Sequence, residues 1–163
     1  NIDDQIVSLN NAKGLNGTVI VFICNHCPYV KAIATRLKKD ADDLLEHSIN
    51  TIAIMSNDVI NFPDDSFENM KIFSEKYKFN FPYLYDETQD VAKKYNAICT
   101  PDFFGFDKDL KLKYRGRLDS GVMNANQNSE VERDLFNAMI KIKNDGIAPS
   151  NQLNSIGCSI KWK

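Results

Sequence analysis

Cysteine is scarce in this chain, with four residues in 163. That is too few for the disulfide framework that small secreted domains use in place of a core. At this length none is needed, because a single domain already buries enough apolar surface to hold itself together. Histidine is scarcer, with two residues. Charge of one sign is missing as well: the net charge is −2, which gives no cationic footprint for nucleic acid and no polybasic patch for a membrane surface. The C-terminal Lys161-Trp162-Lys163 is too short to change that. Apolar runs are short, and the longest, over residues 19–24, has the length of a strand and not of a membrane-crossing helix. Internal repeats and low-complexity tracts are absent, and nothing before residue 145 reads as a linker. These absences leave one globular domain over residues 1–163. The chain begins with Asn1 and not Met, so we expect it to have been trimmed. The compartment therefore stays open, with the cytoplasm favoured over the periplasm or export.

What is present is an alternation of strand and helix patterns. Residues 1–16 are polar and carry the turn dipeptides Asn10-Asn11, Lys13-Gly14 and Asn16-Gly17, which suggest an entering loop or hairpin. Residues 18–23 are β-branched or aromatic without a charge, as in a strand buried on both faces. From residue 28 to about 47, Val30, Ile33, Leu37, Ala41, Leu44 and Leu45 recur at helical spacing. A second buried strand is expected over 49–55. A helix should then begin near Asp65, where Asp65-x-x-Glu68 has the form of a capping box. A short strand over 83–85, a short helix over 88–95 and a hairpin of 102–106 with 112–117 follow. Residues 129–144 predict a last amphipathic helix, and the tail after Gly146 reads as irregular. Strands alternating with helices predict an α/β fold, a central mixed sheet with helices on both faces.

The chemistry concentrates in Cys24-Asn25-His26-Cys27-Pro28, where the first buried strand meets the first long helix. A helix N-terminus offers unpaired N–H groups and the positive end of the macrodipole, and it favours an anion. A thiolate is such an anion, and its pKa falls there from about 8.5 into a range of roughly 3.5 to 7.5. Pro28 fits the first helical turn without loss of a hydrogen bond, and His26 adds a second source of positive charge. Half of a zinc knuckle would look similar, but Cys99 and Cys158 stand alone and do not supply a second ligand pair. The pattern therefore points to a redox dithiol. Copper(I) binding by Cys24, Cys27 and His26, soft ligands for a soft ion, stays open beside it.

Several stretches together resemble a known group: CNHCPYV, SND, FPDDSFENM, FPYLYDETQDVAKKYNAICTPDFFGFD, YRGR and GCSIKWK. They are similar to those of the thioredoxin-like superfamily and, within it, of a bacterial AhpC/TSA, peroxiredoxin-like redoxin group. Members of the group extend further at both ends, so the chain is expected to be truncated at both. The resemblance implies a thioredoxin-like fold in which the Thr100-Pro101 dipeptide is the cis-proline loop beside the dithiol. It implies a thiol–disulfide oxidoreductase with Cys24 as exposed nucleophile, Cys27 as resolving thiol and His26 stabilising the thiolate. Thr100 and Pro101 would hold the backbone of a protein dithiol or disulfide partner. No cofactor is implied.

The peroxiredoxins of the superfamily suggest another chemistry, reduction of peroxide through Cys27 with Cys24 resolving. Cys24 stands where they carry threonine, however, and Pro101 where they carry arginine, with Arg115 or Arg117 as candidate substitutes. Cys99 is either a buried filler or a redox accessory, and Cys158, in a Gly-Cys-Ser turn, is a candidate second redox thiol. The strand over 18–23 carries no carboxylate to take a proton from a buried thiol. Asp58 and Asp102 are the nearest candidates by topology, each more readily read as a solvated loop acid or a turn cap.

Overall fold

The structure, a computed structural model, describes residues 1–124 and 130–163. Helix α1 spans Leu9–Ala12, strand β1 Gly17–Phe22, helix α2 Pro28–Glu46 and strand β2 Ile49–Met55. A 3-10 turn over Pro63–Asp65 leads into α3 at Phe67–Tyr77, followed by β3 at Tyr83–Tyr85 and α4 at Asp90–Tyr95. Strands β4 (Cys99–Thr100), β5 (Asp102–Asp107) and β6 (Leu112–Gly116) precede α5 at Asp134–Asp145 and β7 at Cys158–Ser159.

The main sheet has the order β3-β2-β1-β5-β6, with β1, β2 and β3 parallel and β5 antiparallel to β1. β1 lies at its centre and is buried along its whole length. That is why its sequence is continuously apolar and does not alternate with polar residues. Successive side chains still point to opposite faces. Val19, Val21 and Ile23 pack with Val30, Leu37 and Leu44 of α2, Met70 of α3 and Met139 of α5. Ile20 and Phe22 face the other way, toward Ile52, Ile54, Phe104, Ala92 of α4 and Ile160 of the tail. Both faces are thus covered, as expected.

Five local expectations need correction. Residues 1–16 contain a helical turn where turn dipeptides suggested a loop or hairpin, because Ser8 caps it by accepting from the Asn11 N–H at 3.3 Å. Leu45 of α2 is exposed and not on the apolar face. α3 starts at Phe67 and takes Ser66 as its cap, whose Oγ accepts from the Asn69 N–H. Asp65 is turned inward for another purpose. The tail is not irregular throughout: Cys158–Ser159 pairs antiparallel with Cys99–Thr100 as a second, two-stranded sheet. The last helix begins at Asp134, and position 129, where the sequence pattern starts it, lies outside the described residues.

Candidate active site

The sheet register brings the site together. Phe22 of β1 is paired with Asp102 of β5 in an antiparallel ladder, so continuing it past the strand end sets Cys24 across from Thr100. The second sheet pairs Thr100 with Cys158. Thr100 therefore stands between two cysteines distant in sequence, and the peptide joining it to Pro101 is cis. Cys24 Sγ is 3.2 Å from Thr100 Oγ1. Cys27, the N-cap of α2 with Pro28 at its first position, has its Sγ 3.2 Å from the Thr100 carbonyl oxygen. The same sulfur lies 2.9 Å from Cys158 Sγ. Cys24 and Cys27 are completely buried, while Cys158 is partly exposed.

The two thiols of the C-x-x-C are driven apart electrostatically. Cys27 is lowered to about 4: the Cys24 thiol donating to it contributes most, and bonds from the Cys158 side chain and the Val30 and Cys158 backbones add to that against the cost of burial. Cys24 is raised far above the ordinary thiol range, first because its proton is held in that bond to Cys27, then by burial and by the charge of Asp65. The direction of the two shifts favours ionisation of Cys27 over Cys24. Cys24, which the family resemblance implied to be the exposed nucleophile, is buried. The bond between the two thiols is the first cause of both shifts, and the Val30 N–H in the first turn of α2 adds a smaller pull on Cys27. Burial is the main cause that lifts Cys158 to about 11, followed by its bond to Cys27 and the charge there.

Sequence reasoning missed Asp65. This carboxylate is completely buried, and four donors converge on it. They are the backbone N–H of Asn25 (2.7 Å), that of His26 (3.2 Å), His26 Nδ1 (2.6 Å) and Asn57 Nδ2 (2.8 Å). Tyr83 Oη donates to Asn25 Oδ1 at 2.9 Å and fixes the remaining side chain of the loop. The His26 ring also stacks on Phe62, centroids 6.1 Å apart. One ligand atom each from Cys24, His26 and Asp65 lies within 4.8 Å of the others. So the buried acid absent from the strand arrives from the loop before α3. The group that converges is Cys24–His26–Asp65, and not the Cys24–Cys27–His26 set expected for copper(I). In it His26 Nδ1 is already bonded to Asp65.

The other candidates hold the scaffold. Asp58 accepts from Asn61 Nδ2 at 2.6 Å and from the Ile60 N–H at 3.0 Å, bonds that hold its carboxyl below the usual range, that from Asn61 first. Asp102 accepts from the Ile98 N–H and from Arg115, which also donates to the Asn96 carbonyl. Arg117 is bound to Asp134. Cys99 is buried, donates to the Pro101 carbonyl at 3.4 Å, and is pushed up to about 12, mainly by burial.

Residues 1–115 match the model of the AhpC/TSA family. No curated protein matches the chain. Among solved structures, an uncharacterized conserved protein from Geobacillus kaustophilus is 47% identical, with a TM-score of 0.91 over 99% of this chain and 85% of its own. A hypothetical protein from Sinorhizobium meliloti 1021 is 34% identical, with a TM-score of 0.91 over 100% of this chain and 88% of its own. A secreted Mycobacterium tuberculosis disulfide oxidoreductase homologous to E. coli DsbE is 21% identical, with a TM-score of 0.58 over 68% of this chain and 75% of its own. That last likeness is one of fold, and the fold is thioredoxin-like.

Proposed function

The chain belongs to the AhpC/TSA family, and on that premise we propose that it is a thiol–disulfide oxidoreductase whose Cys24–Cys27 pair cycles with a protein partner. The observation that carries this is the gathering of both sulfurs at Thr100, each 3.2 Å from it, with Cys27 lowered to about 4 and Cys24 raised. A thiolate is the nucleophile of disulfide exchange, and a low-pKa sulfur is also a good leaving group. The Cys27 thiolate attacks a partner disulfide and expels one partner thiol, which leaves a mixed disulfide on Cys27. Cys24 then attacks Cys27 Sγ, the Cys24–Cys27 bond forms, and the second partner thiol leaves. Cys24 must lose its proton in that step, and the His26–Asp65 pair is the acceptor within reach. Thr100 touches both sulfurs, Cys24 through Oγ1 and Cys27 through its carbonyl, and Pro101 follows it across the cis peptide. We assign Cys99, Asp58 and Asp102 no step.

The test is a redox titration in glutathione buffers, with disulfides mapped by mass spectrometry. A reversible Cys24–Cys27 bond with a defined potential is expected, and its absence across the range would overturn the proposal. A second activity is favoured by the Cys27 thiolate at a helix N-cap. It would attack peroxide, break the O–O bond and become a sulfenic acid, which Cys24 resolves with loss of water. Peroxide consumption that is lost in Cys27→Ser tests it.

A further inference from the structure

Both active cysteines are completely buried, and Cys158 lies against Cys27. Thr100, expected with Pro101 to hold a partner's backbone, is already paired, together with Cys99, to Cys158–Ser159 of the same chain. The register puts Cys158 opposite Thr100, and its sulfur lies 2.9 Å from Cys27 Sγ. A bond of about 2.0 Å requires the two sulfurs to close by less than about 1 Å. Gly157 makes the approach possible: a Cβ there would lie 2.2 Å from the Thr100 oxygen and 2.6 Å from its carbonyl carbon. Lys161, just past β7, ties the tail to the site, its N–H donating to Asn57 Oδ1 at 2.9 Å and its carbonyl accepting from the Asp58 N–H at 2.8 Å.

We propose that Cys158 is a third redox thiol, an internal partner that exchanges with Cys27 and carries the disulfide from the buried pair to the surface, where a protein dithiol meets it. This rests on the Cys24–Cys27 chemistry above. Starting from the Cys24–Cys27 disulfide, the Cys158 thiolate attacks Cys27 Sγ. The Cys27–Cys158 bond forms and the Cys24–Cys27 bond breaks. Cys24 leaves and takes up one proton as Cys158 gives one up, so no electrons enter or leave. With Cys27 in a disulfide its negative charge is gone, and with it part of what holds the Cys158 proton. A thiolate of the partner protein then attacks Sγ of the partly exposed Cys158 and expels Cys27 as thiolate. The second partner thiol closes the partner's disulfide and releases Cys158. Two electrons pass from the partner dithiol to the protein, which ends with Cys24 as thiol and Cys27 as thiolate, one proton being released. A low-molecular-weight disulfide, such as oxidised glutathione, restores the pair.

The test uses the full chain, oxidised with limiting oxidised glutathione, quenched with acid and mapped by mass spectrometry. Wild type is expected to give a mixture of Cys24–Cys27 and Cys27–Cys158 bonds. Cys24→Ser and Cys24→Ala, which cannot make the first, should both give the intramolecular Cys27–Cys158 bond in stoichiometric yield. With reduced, unfolded ribonuclease as the protein dithiol, Cys158→Ser should slow oxidation about tenfold or more. Glutathione left on Cys27 beside a free Cys158 in both Cys24 variants would overturn the relay. So would a Cys27–Cys158 bond absent from wild type while Cys24–Cys27 forms, and that pattern leaves the oxidoreductase itself standing. Absence of both bonds from wild type would overturn the two together.

Discussion

Asp65 Oδ2 sits 2.6 Å from His26 Nδ1, in a carboxylate completely closed to solvent. The bond joins the middle of the C-x-x-C to a loop 39 residues further on, and it puts a proton acceptor behind Cys24. Asp65→Asn keeps the shape but removes the charge and turns an acceptor into a donor toward His26. Its four incoming bonds are charge-assisted, so stability should fall by about 2–3 kcal/mol. Closure of the Cys24–Cys27 bond from a glutathione adduct on Cys27 should slow by about a hundredfold near pH 7, the order general base catalysis supplies. Rapid-quench mass spectrometry checks this. Unchanged closure with reduced stability would make Asp65 a structural anchor only.

The lowered Cys27 pKa sets a pH dependence. The thiolate exists in the fold above about pH 4, while an unfolded thiol ionises near 8.5. The reduced fold therefore gains stability as pH rises from about 4 toward 8.5, and loses that gain as pH falls through 4. Cys24 stays protonated throughout. Reduction of the disulfide then takes up one proton for two electrons between pH 5 and 8, and the potential should fall by about 30 mV per pH unit. Two ordinary thiols would take up two protons and give about 59 mV per unit. Thiolate absorbance at 240 nm with a midpoint near 4 is the companion measurement; it reports the sulfur cluster as a unit.

Gly157 is where the tail meets the loop. Its missing side chain lets β7 lie on Thr100, since a Cβ would meet backbone oxygen at 2.2 Å and backbone carbon at 2.6 Å, neither of which can swing aside. Gly157→Ala should push β7 off the loop at a cost of about 1–3 kcal/mol, the range for overpacking. Cys27 then opens to solvent, its alkylation by iodoacetamide at pH 6 speeds up, and the yield of Cys27–Cys158 disulfide falls. The Cys24–Cys27 bond should still form. Slower alkylation would mean that β7 stays in place and the alanine is absorbed elsewhere.

Much of this arrangement was legible in the sequence, and the part that was not has a common cause. β2 at Ile49–Met55 and β3 at Tyr83–Tyr85 have the bounds their apolar runs indicate. α2 follows from helical spacing and Pro28. Those signals are local. Asp65 carries a local signal of the wrong kind, since a D-x-x-E before an apolar run reads as a cap, and only the distant His26 shows its other use. β7 is two residues long and has no periodicity, and its partner is β4, far back in the chain. The opposed thiol pKa shifts depend first on how Cys24 and Cys27 meet and then on Cys158, both tertiary facts.

Cys99 offers the sharpest control, because it neighbours the site without belonging to it. In a strand adjacent side chains point to opposite sides, and Thr100 is turned toward Cys24, so Cys99 is directed away from it. Its thiol donates to the Pro101 carbonyl and is pushed up to about 12 by burial, which leaves it protonated and inert at neutral pH. Cys99→Ala removes a weak bond and a little buried volume and should cost about 1 kcal/mol of stability. The Cys24–Cys27 potential and the yield of Cys27–Cys158 disulfide should stay at the wild-type values. Glutathione-buffer titration of the variant measures both. A displaced potential, or a Cys99 disulfide in oxidised wild type, would bring the fourth cysteine into the relay and require the tail to rotate about Thr100.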